Sequence, residues 1–230
     1  MSLPRELILK ELGIAPVWKL NQPGSASADA IADSALAASI LQMDWPTLKQ
    51  TIQTCTACAL HKTRIQGVVG VGDEQADWLI VGEAPGADED EQGEPFVGQA
   101  GRLLDAMLAA IDLKRGENVY IANVLKSHPP NNRNPAPEEV AACLPYLQRQ
   151  IQLIQPKIIL ALGHVAAQAL LETEDTIARL RGRVHHYQGV PLVVTYHPAY
   201  LLRNLPDKAS AWEDLCLARA TMQDVQKISQ

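Results

Sequence analysis

Four short runs of apolar, largely β-branched residues constrain this chain more than any other feature: WLIVGEA (78–84), VYIANVL (119–125), KIILALG (157–163) and LVVTYH (192–197). Each is nearly continuous in apolar character, as a strand buried on both faces must be. Helical spacing fills the intervals, in GRLLDAMLAAID, PEEVAACLPYLQRQIQLI and HVAAQALLE, and Pro137 followed by Glu138 and Glu139 makes a helix start. Alternation of this kind specifies an α/β fold, a parallel sheet covered by helices on both sides. Ligands of such sheets bind where the strands' carboxyl ends open into loops.

Upstream of the sheet the texture differs. RELILKELGI (5–14) places Leu7, Ile8, Leu12 and Ile14 at helical spacing, with Gly13 as a stop, and Trp18 follows. The next stretch, NQPGSASADAIADSALAAS, is rich in Ala, Ser, Asp, Pro and Gly and offers too little apolar surface to fix a conformation. The expected organisation is an amphipathic arm over 1–20, a flexible linker over 21–44 and one domain over 45–230. No apolar run approaches the length that crosses a bilayer, and the opening residues lack a signal-peptide pattern, so a cytoplasmic location is expected. The formal net charge of −6 argues against strong nonspecific DNA binding, and any DNA contact needs a local basic face.

Three loops carry residues suited to chemistry. The first strand runs into GEAPGADEDEQGEPFVGQAG (82–101), whose glycines let backbone amides approach a ligand and which holds Phe96, the sole phenylalanine of the chain. Phe96 reads equally as a core residue or a stacking platform. The second strand ends in NVLKSHPPNNRNPAP, where Pro129 and Pro130 forbid helix and Asn131, Asn132, Arg133 and Asn134 crowd amides beside a cation, or simply form a polar turn. The fourth ends in TYHPAYLLRN, with His197 at the strand tip and Tyr200, Leu201, Leu202 and Arg203 following. A histidine in that position is placed for ligand contact, and leucines beside an arginine suit insertion into a base stack.

Among four cysteines, Cys55 and Cys58 form a C-x2-C pair, which in a reducing compartment reads as a metal or redox element rather than a disulfide. Cys143 and Cys216 stand far from it, Cys216 in a late helical pattern that suits a small buried apolar residue.

Taken in order, GEAPG-x3-D-x2-G-x-PFVG-x-AG-x-LLD, YIANV-x-K, PPNNR-x-P and HPAYLLR resemble the family 4 uracil-DNA glycosylases of bacteria and archaea, over roughly residues 50 to 225. The resemblance implies a three-layer αβα fold around a four-stranded parallel sheet, and excision of uracil from DNA. It further implies that Phe96 stacks on the extruded base and that Asn123 reads its N3 and O4 edge. His197, with backbone amides near Gly82, would support charge on O2. Glu83 is the candidate for positioning water, Glu89 for crowding C5 so that thymine is excluded, and Asn132 for a further substrate contact. Leu201 and Leu202 would fill the gap left by the base, with Arg203 near phosphate.

The same resemblance implies a [4Fe-4S] cluster on four cysteines. Cys55, Cys58 and Cys143 match three of them, and Ser127 stands at the fourth position. A serine hydroxyl is a harder, poorer iron ligand than thiolate. Three outcomes stay open: a cluster completed by Ser127 or His128, a labile cluster or substitute zinc, and a metal-free site held by packing. Finally, Leu12, Gly13, Ile14, Trp18, Pro23 and Gly24 resemble the amino-terminal peptide of the psi subunit of the bacterial DNA polymerase III clamp loader. This implies a groove-binding arm with Leu7, Leu12, Ile14 and Trp18 at the contact, and raises a second reading: a clamp-loader adaptor built on an inactive glycosylase fold.

Overall fold

Every strand of the sheet centre is apolar on both sides, and helices cover both. The computed structural model describes residues 35–228; Leu7, Leu12, Ile14 and Trp18 of the expected arm, and most of the linker, lie outside them. Six strands form one sheet in the order β1-β3-β2-β4-β6-β5. The four apolar runs supply its parallel centre, as β2 (Trp78–Gly82), β3 (Val119–Asn123), β4 (Ile158–Leu162) and β6 (Val190–Thr195). The expected sheet of four strands is thus widened to a mixed sheet of six: β1 (Val71–Gly72) and β5 (Val184–Tyr187) close its edges antiparallel to β3 and β6.

Side chains of the central strands alternate between two cores, as a two-residue period requires. Leu79, Val81, Tyr120, Ala122, Ile159, Ala161, Leu192 and Val194 face one side, where α4 (Pro137–Ile154) and α5 (His164–Leu171) pack through Leu147, Ile151, Ala167 and Leu170. Trp78, Ile80, Val119, Ile121, Ile158, Leu160 and Val193 face the other, against Leu104, Met107 and Leu108 of α3 (Gln99–Ala109) and Ala211, Leu215 and Ala218 of α8 (Lys208–Ile228). Further helices are α1 (Trp45–Thr54), α2 (Ala87–Gln92), α6 (Ile177–Leu180) and α7 (Pro198–Leu201).

Packing begins ahead of Trp45. Residues 36–40 are helical, Ile40 is buried against Leu48, Ile52, Val69 and Tyr146, and Arg149 Nε donates to Met43 O at 2.6 Å. An isoleucine with a ready apolar surface beside it buries, whatever the polarity of its neighbours. The compact unit accordingly starts at Leu36, and residues 36–44 belong to it rather than to the linker.

The connection from β2 leads outward to β3, and the next, through α4, returns across β2 to β4. The order of strands therefore reverses beside β2, and the crevice for a ligand opens at the carboxyl ends on that line.

Candidate active site

All four parallel strands deliver residues to one cavity of about 480 Å³ at their carboxyl ends. After β2 come Glu83, Pro85, Gly86 and Glu89, then Phe96; β3 ends in Asn123; β4 is followed by His164; β6 is followed by His197, Tyr200 and Arg203. Asn132 and Asn134 close the rim. Of the residues singled out from sequence, Glu83, Glu89, Phe96, Asn123, Asn132, His197 and Arg203 come together here.

Gly82 is what lets two of them meet. A Cβ at this position would lie 2.4 Å from Asn123 Oδ1 and 2.5 Å from Phe96 Cζ. The ring and the amide thus share the space above a bare backbone, which only glycine leaves open. Phe96 itself has a left-handed backbone, φ +58°, a strained state for an aromatic residue that neighbouring contacts must hold. Arg115 supplies them, donating from Nη1 to Pro95 O at 2.9 Å and from Nη2 to Phe96 O at 2.8 Å while Nε binds Asp105. Phe96 is both core and lining: its ring is mostly buried, packs with the other core residues on the α3 side, and stacks on His197 with centroids 5.5 Å apart.

Asn123 is only 3% exposed, and its Oδ1 has no hydrogen-bond partner. Leaving such an acceptor unmatched costs about 1–3 kcal/mol, so it marks a place where a donor from a ligand belongs. Its main chain is fixed from below by Lys126, wholly buried, whose Nζ donates to Asn123 O at 2.7 Å and to Gln150 Oε1 at 2.6 Å. Burial lowers the Lys126 ammonium to about 7. The lysine sits inside the quoted YIANV-x-K run, yet sequence alone gave it no role.

His197 caps α7: Ala199 N donates to its Nδ1 at 3.1 Å. An Nδ1 that accepts leaves the proton of the neutral ring on Nε2. Burial first, then the charges of Arg203 and His164, depress its pKa to about 4. At neutral pH it is a neutral donor. Glu83 is pushed the other way, its carboxyl raised by burial, while the charge of His164 opposes that rise.

Glu89 is held by backbone, accepting from Gly86 N at 3.0 Å, Val97 N at 3.0 Å and Gly98 N at 3.2 Å. It therefore pins both ends of the glycine-rich loop as well as lining the cavity. Asn132, at φ +52°, pairs through Oδ1 with His128 Nε2 at 2.9 Å. Arg133 grips Glu139 with both Nη atoms, at 2.8 and 2.6 Å, and Glu139 also accepts from Ala136 N at the start of α4.

Leu201 does not reach the cavity. It is 1% exposed and packs into the core beside α3 and α8, whereas Leu202 is 39% exposed. One helical turn places adjacent residues about 100° apart, so only one of the two leucines can face outward. Sequence reasoning also passed over His164, although it follows the β4 strand tip just as His197 follows β6.

The cysteines do not form a four-cornered metal site. Cys58 and Cys143 interact directly: the contact draws the Cys58 thiol down to about 6 and, with burial, pushes Cys143 up. Cys55 Sγ takes a bond from Ala57 N at 3.4 Å. The fourth corner is already engaged, since Ser127 Oγ, 2% exposed, accepts from Arg64 Nη1 at 2.7 Å. Among the described residues no group of three or more His, Cys, Asp or Glu converges as ligands, and Cys216 is exposed on α8, not buried as its setting suggested. A hard hydroxyl bonded to a guanidinium does not fit the thiolate set that a [4Fe-4S] cluster requires.

Comparison with known proteins places residues 69–219 in the uracil DNA glycosylase superfamily. Curated relatives include a type-4 uracil-DNA glycosylase of Archaeoglobus fulgidus, 51% identical over 66% of this chain and 79% of that protein. One from Pyrobaculum aerophilum is 46% identical over 76% of this chain and 93% of that protein, and one from Thermotoga maritima is 41% identical over 78% and 90%.

The half-buried imidazole of His197 gives a direct test. Proton-detected ¹⁵N spectra of histidine should show His197 as the neutral Nε2–H form at pH 7, becoming cationic only as the pH falls to about 4. Titration of His197 in the ordinary histidine range would remove the neutral donor from the site.

Proposed function

The chain belongs to the type-4 uracil-DNA glycosylases, and from that premise we infer how its cavity hydrolyses the bond between uracil and deoxyribose in DNA. One observation carries the reading: a buried, unpartnered Asn123 Oδ1 beside the Phe96 ring. That oxygen accepts the N3–H of uracil and the amide nitrogen donates to O4, whereas cytosine offers the reverse pattern. Phe96 stacks on the base.

Cleavage moves the N1–C1′ electron pair onto uracil, leaving an oxocarbenium-like sugar and an anion with charge on O2. Neutral His197 donates Nε2–H to that oxygen. A neutral donor suits the task, because it need not be desolvated as a cation and its proton stays in place as charge grows. Glu83, ionised, holds water for attack on C1′ and takes up its proton. Glu89 narrows the C5 side, its carboxylate fixed by three amides. With Leu201 committed to the core, exposed Leu202 is the residue for the gap in the stack, and Arg203 meets phosphate.

Replacing Asn123 by Ala should slow single-turnover excision from a uracil-containing strand by about 10²–10³-fold, the loss typical of one preorganised polar contact at a reacting group, scored as alkali-labile sites. An unchanged rate would sink the assignment. A second outcome concerns Glu83, which works ionised. Its carboxyl is raised by burial and held down by the charge of His164, so His164→Gln should move the acid limb of the rate–pH profile to higher pH, and His164→Lys should not. Coincident limbs for His164→Gln and the parent would show that His164 exerts no such influence.

We propose further that the arm over residues 1–20 tethers the enzyme to the clamp loader through Leu7, Leu12, Ile14 and Trp18, on the strength of its amphipathic spacing and the psi-like residues. Deleting residues 1–24 should leave excision intact and abolish association with purified clamp loader; equal binding by both forms would dismiss the tether.

A further inference from the structure

Ser127 stands where the resemblance implies a fourth cluster cysteine, and a charged side chain already fills that corner. Arg64 reaches it from the loop that follows the Cys55–Cys58 pair, binding Ser127 Oγ through Nη1 at 2.7 Å. Its Nη2 donates to Gln53 O at 2.9 Å and Cys55 O at 2.8 Å. One guanidinium therefore joins the end of α1, the first cysteine and the segment after β3, three of the pieces a cluster would gather. Planar geometry with several donors lets arginine do this where lysine could not.

We infer that this chain has exchanged the cluster for a protein-only staple, Arg64 to Ser127, and that it folds and functions without iron at this site. The inference goes beyond uracil excision and does not depend on any catalytic role assigned above.

Its consequence reaches the cavity. Immediately after Arg64, Ile65 N donates to both carboxylate oxygens of Asp90, at 3.0 and 2.9 Å, and Gln66 N to Asp90 Oδ1 at 3.2 Å. Gln66 Nε2 then reaches Asp90 O and Glu91 O at 3.1 and 2.9 Å. Asp90 is 3% exposed and adjoins Glu89 on α2, while Val68 N binds Lys126 O at 2.8 Å next to Ser127. Holding residue 64 in place thus holds 65 and 66 against α2, and through α2 the loop that Glu89 pins. Without those amides Asp90 would be a buried carboxylate left with only His128 Nδ1, 3.9 Å from its Oδ2, a costly state.

The full chain, expressed with added iron and isolated without oxygen, should carry substoichiometric iron, sulfide and zinc, show no visible thiolate-to-iron band, and excise uracil. Stoichiometric iron with sulfide, or stoichiometric zinc, overturns the proposal whatever the activity. A thermal double-mutant cycle tests the staple itself. Ser127→Ala should lower the midpoint by about 2–4 °C, the shift expected for one lost buried hydrogen bond in a chain this size. In the Arg64→Ala background the same change should cost almost nothing. Additive losses would refute the pairing, and Arg64→Lys replaces Arg64→Ala in the cycle if the alanine form does not fold. Metal content and coupling are read without an excision assay, so inactivity of the parent would count against the enzymatic reading and not against the staple.

Discussion

The missing side chain at Gly82 is the constraint on which the site depends. The last residue of β2 lies between an aromatic ring arriving from a loop and an amide arriving from the next strand, each within 2.5 Å of where a Cβ would stand. No rotamer change of a single neighbour relieves two contacts of that kind at once. A methyl group here would displace the Phe96 ring, the Asn123 amide, or both. Gly101 repeats the device at the start of α3, where a Cβ would fall 1.7 Å from Phe96 O. The helix can then lie directly on the strained turn it supports.

Around this close approach, positioning is delegated to ionisable side chains, two of which, Lys126 and Arg115, line no part of the cavity. Lys126 fixes the main chain of Asn123, Arg115 the main chain of Phe96, and Glu89 the amides at both ends of the loop. Arg115 and Glu89 are charged groups matched to backbone, and Lys126, its ammonium lowered to about 7 by burial, is an ionisable one. Such pairing is worth more in a buried setting than between neutral partners, and it is directional, so it fixes geometry as well as contributing stability. His164 and His197 divide the electrostatic work: the former is exposed at a helix start, the latter half-buried with its pKa depressed to about 4. In one cavity, burial with the charges of Arg203 and His164 holds His197 neutral, while the charge of His164 opposes the rise that burial gives the Glu83 carboxyl.

Much of this was legible in the sequence for physical reasons. The four central strands were readable because burial on both faces demands unbroken apolar runs, and the loops because strand tips in a parallel sheet are where ligands go. The edge strands were not. β1 is two residues long, and β5, Val-His-His-Tyr, is largely exposed and shows no apolar run; its one local signal is the Gln188–Gly189 turn, both residues at positive φ, which fits a two-residue hairpin. Leu201 was misread because a single turn of helix is too short for spacing to reveal its inner face. Ser127 could be seen as a broken ligand set by counting cysteines, but the bond that fills the corner joins residues 63 positions apart, and no local pattern encodes it. His164 was within reach: applying to β4 the same strand-tip argument that selected His197 finds it.

The use made of arginine limits the basic surface that this acidic chain can offer to DNA. Arg64, Arg115, Arg133 and Arg181 each bind carbonyls, carboxylates or a hydroxyl of the protein itself. Cations so engaged have their donors directed inward and their charge matched, and they add little to a phosphate-attracting field. With a net charge of −6, long-range attraction to a polyanion is weak, and release of counterions supplies less of the binding free energy than in a basic protein. In the proposed mechanism discrimination then falls to the short-range terms, stacking on Phe96 and satisfaction of the unpartnered Asn123 Oδ1 by an extruded base. On that reading, a charge balance that weakens attachment to ordinary DNA leaves those terms as the larger fraction of the total and so favours selectivity for the extruded base.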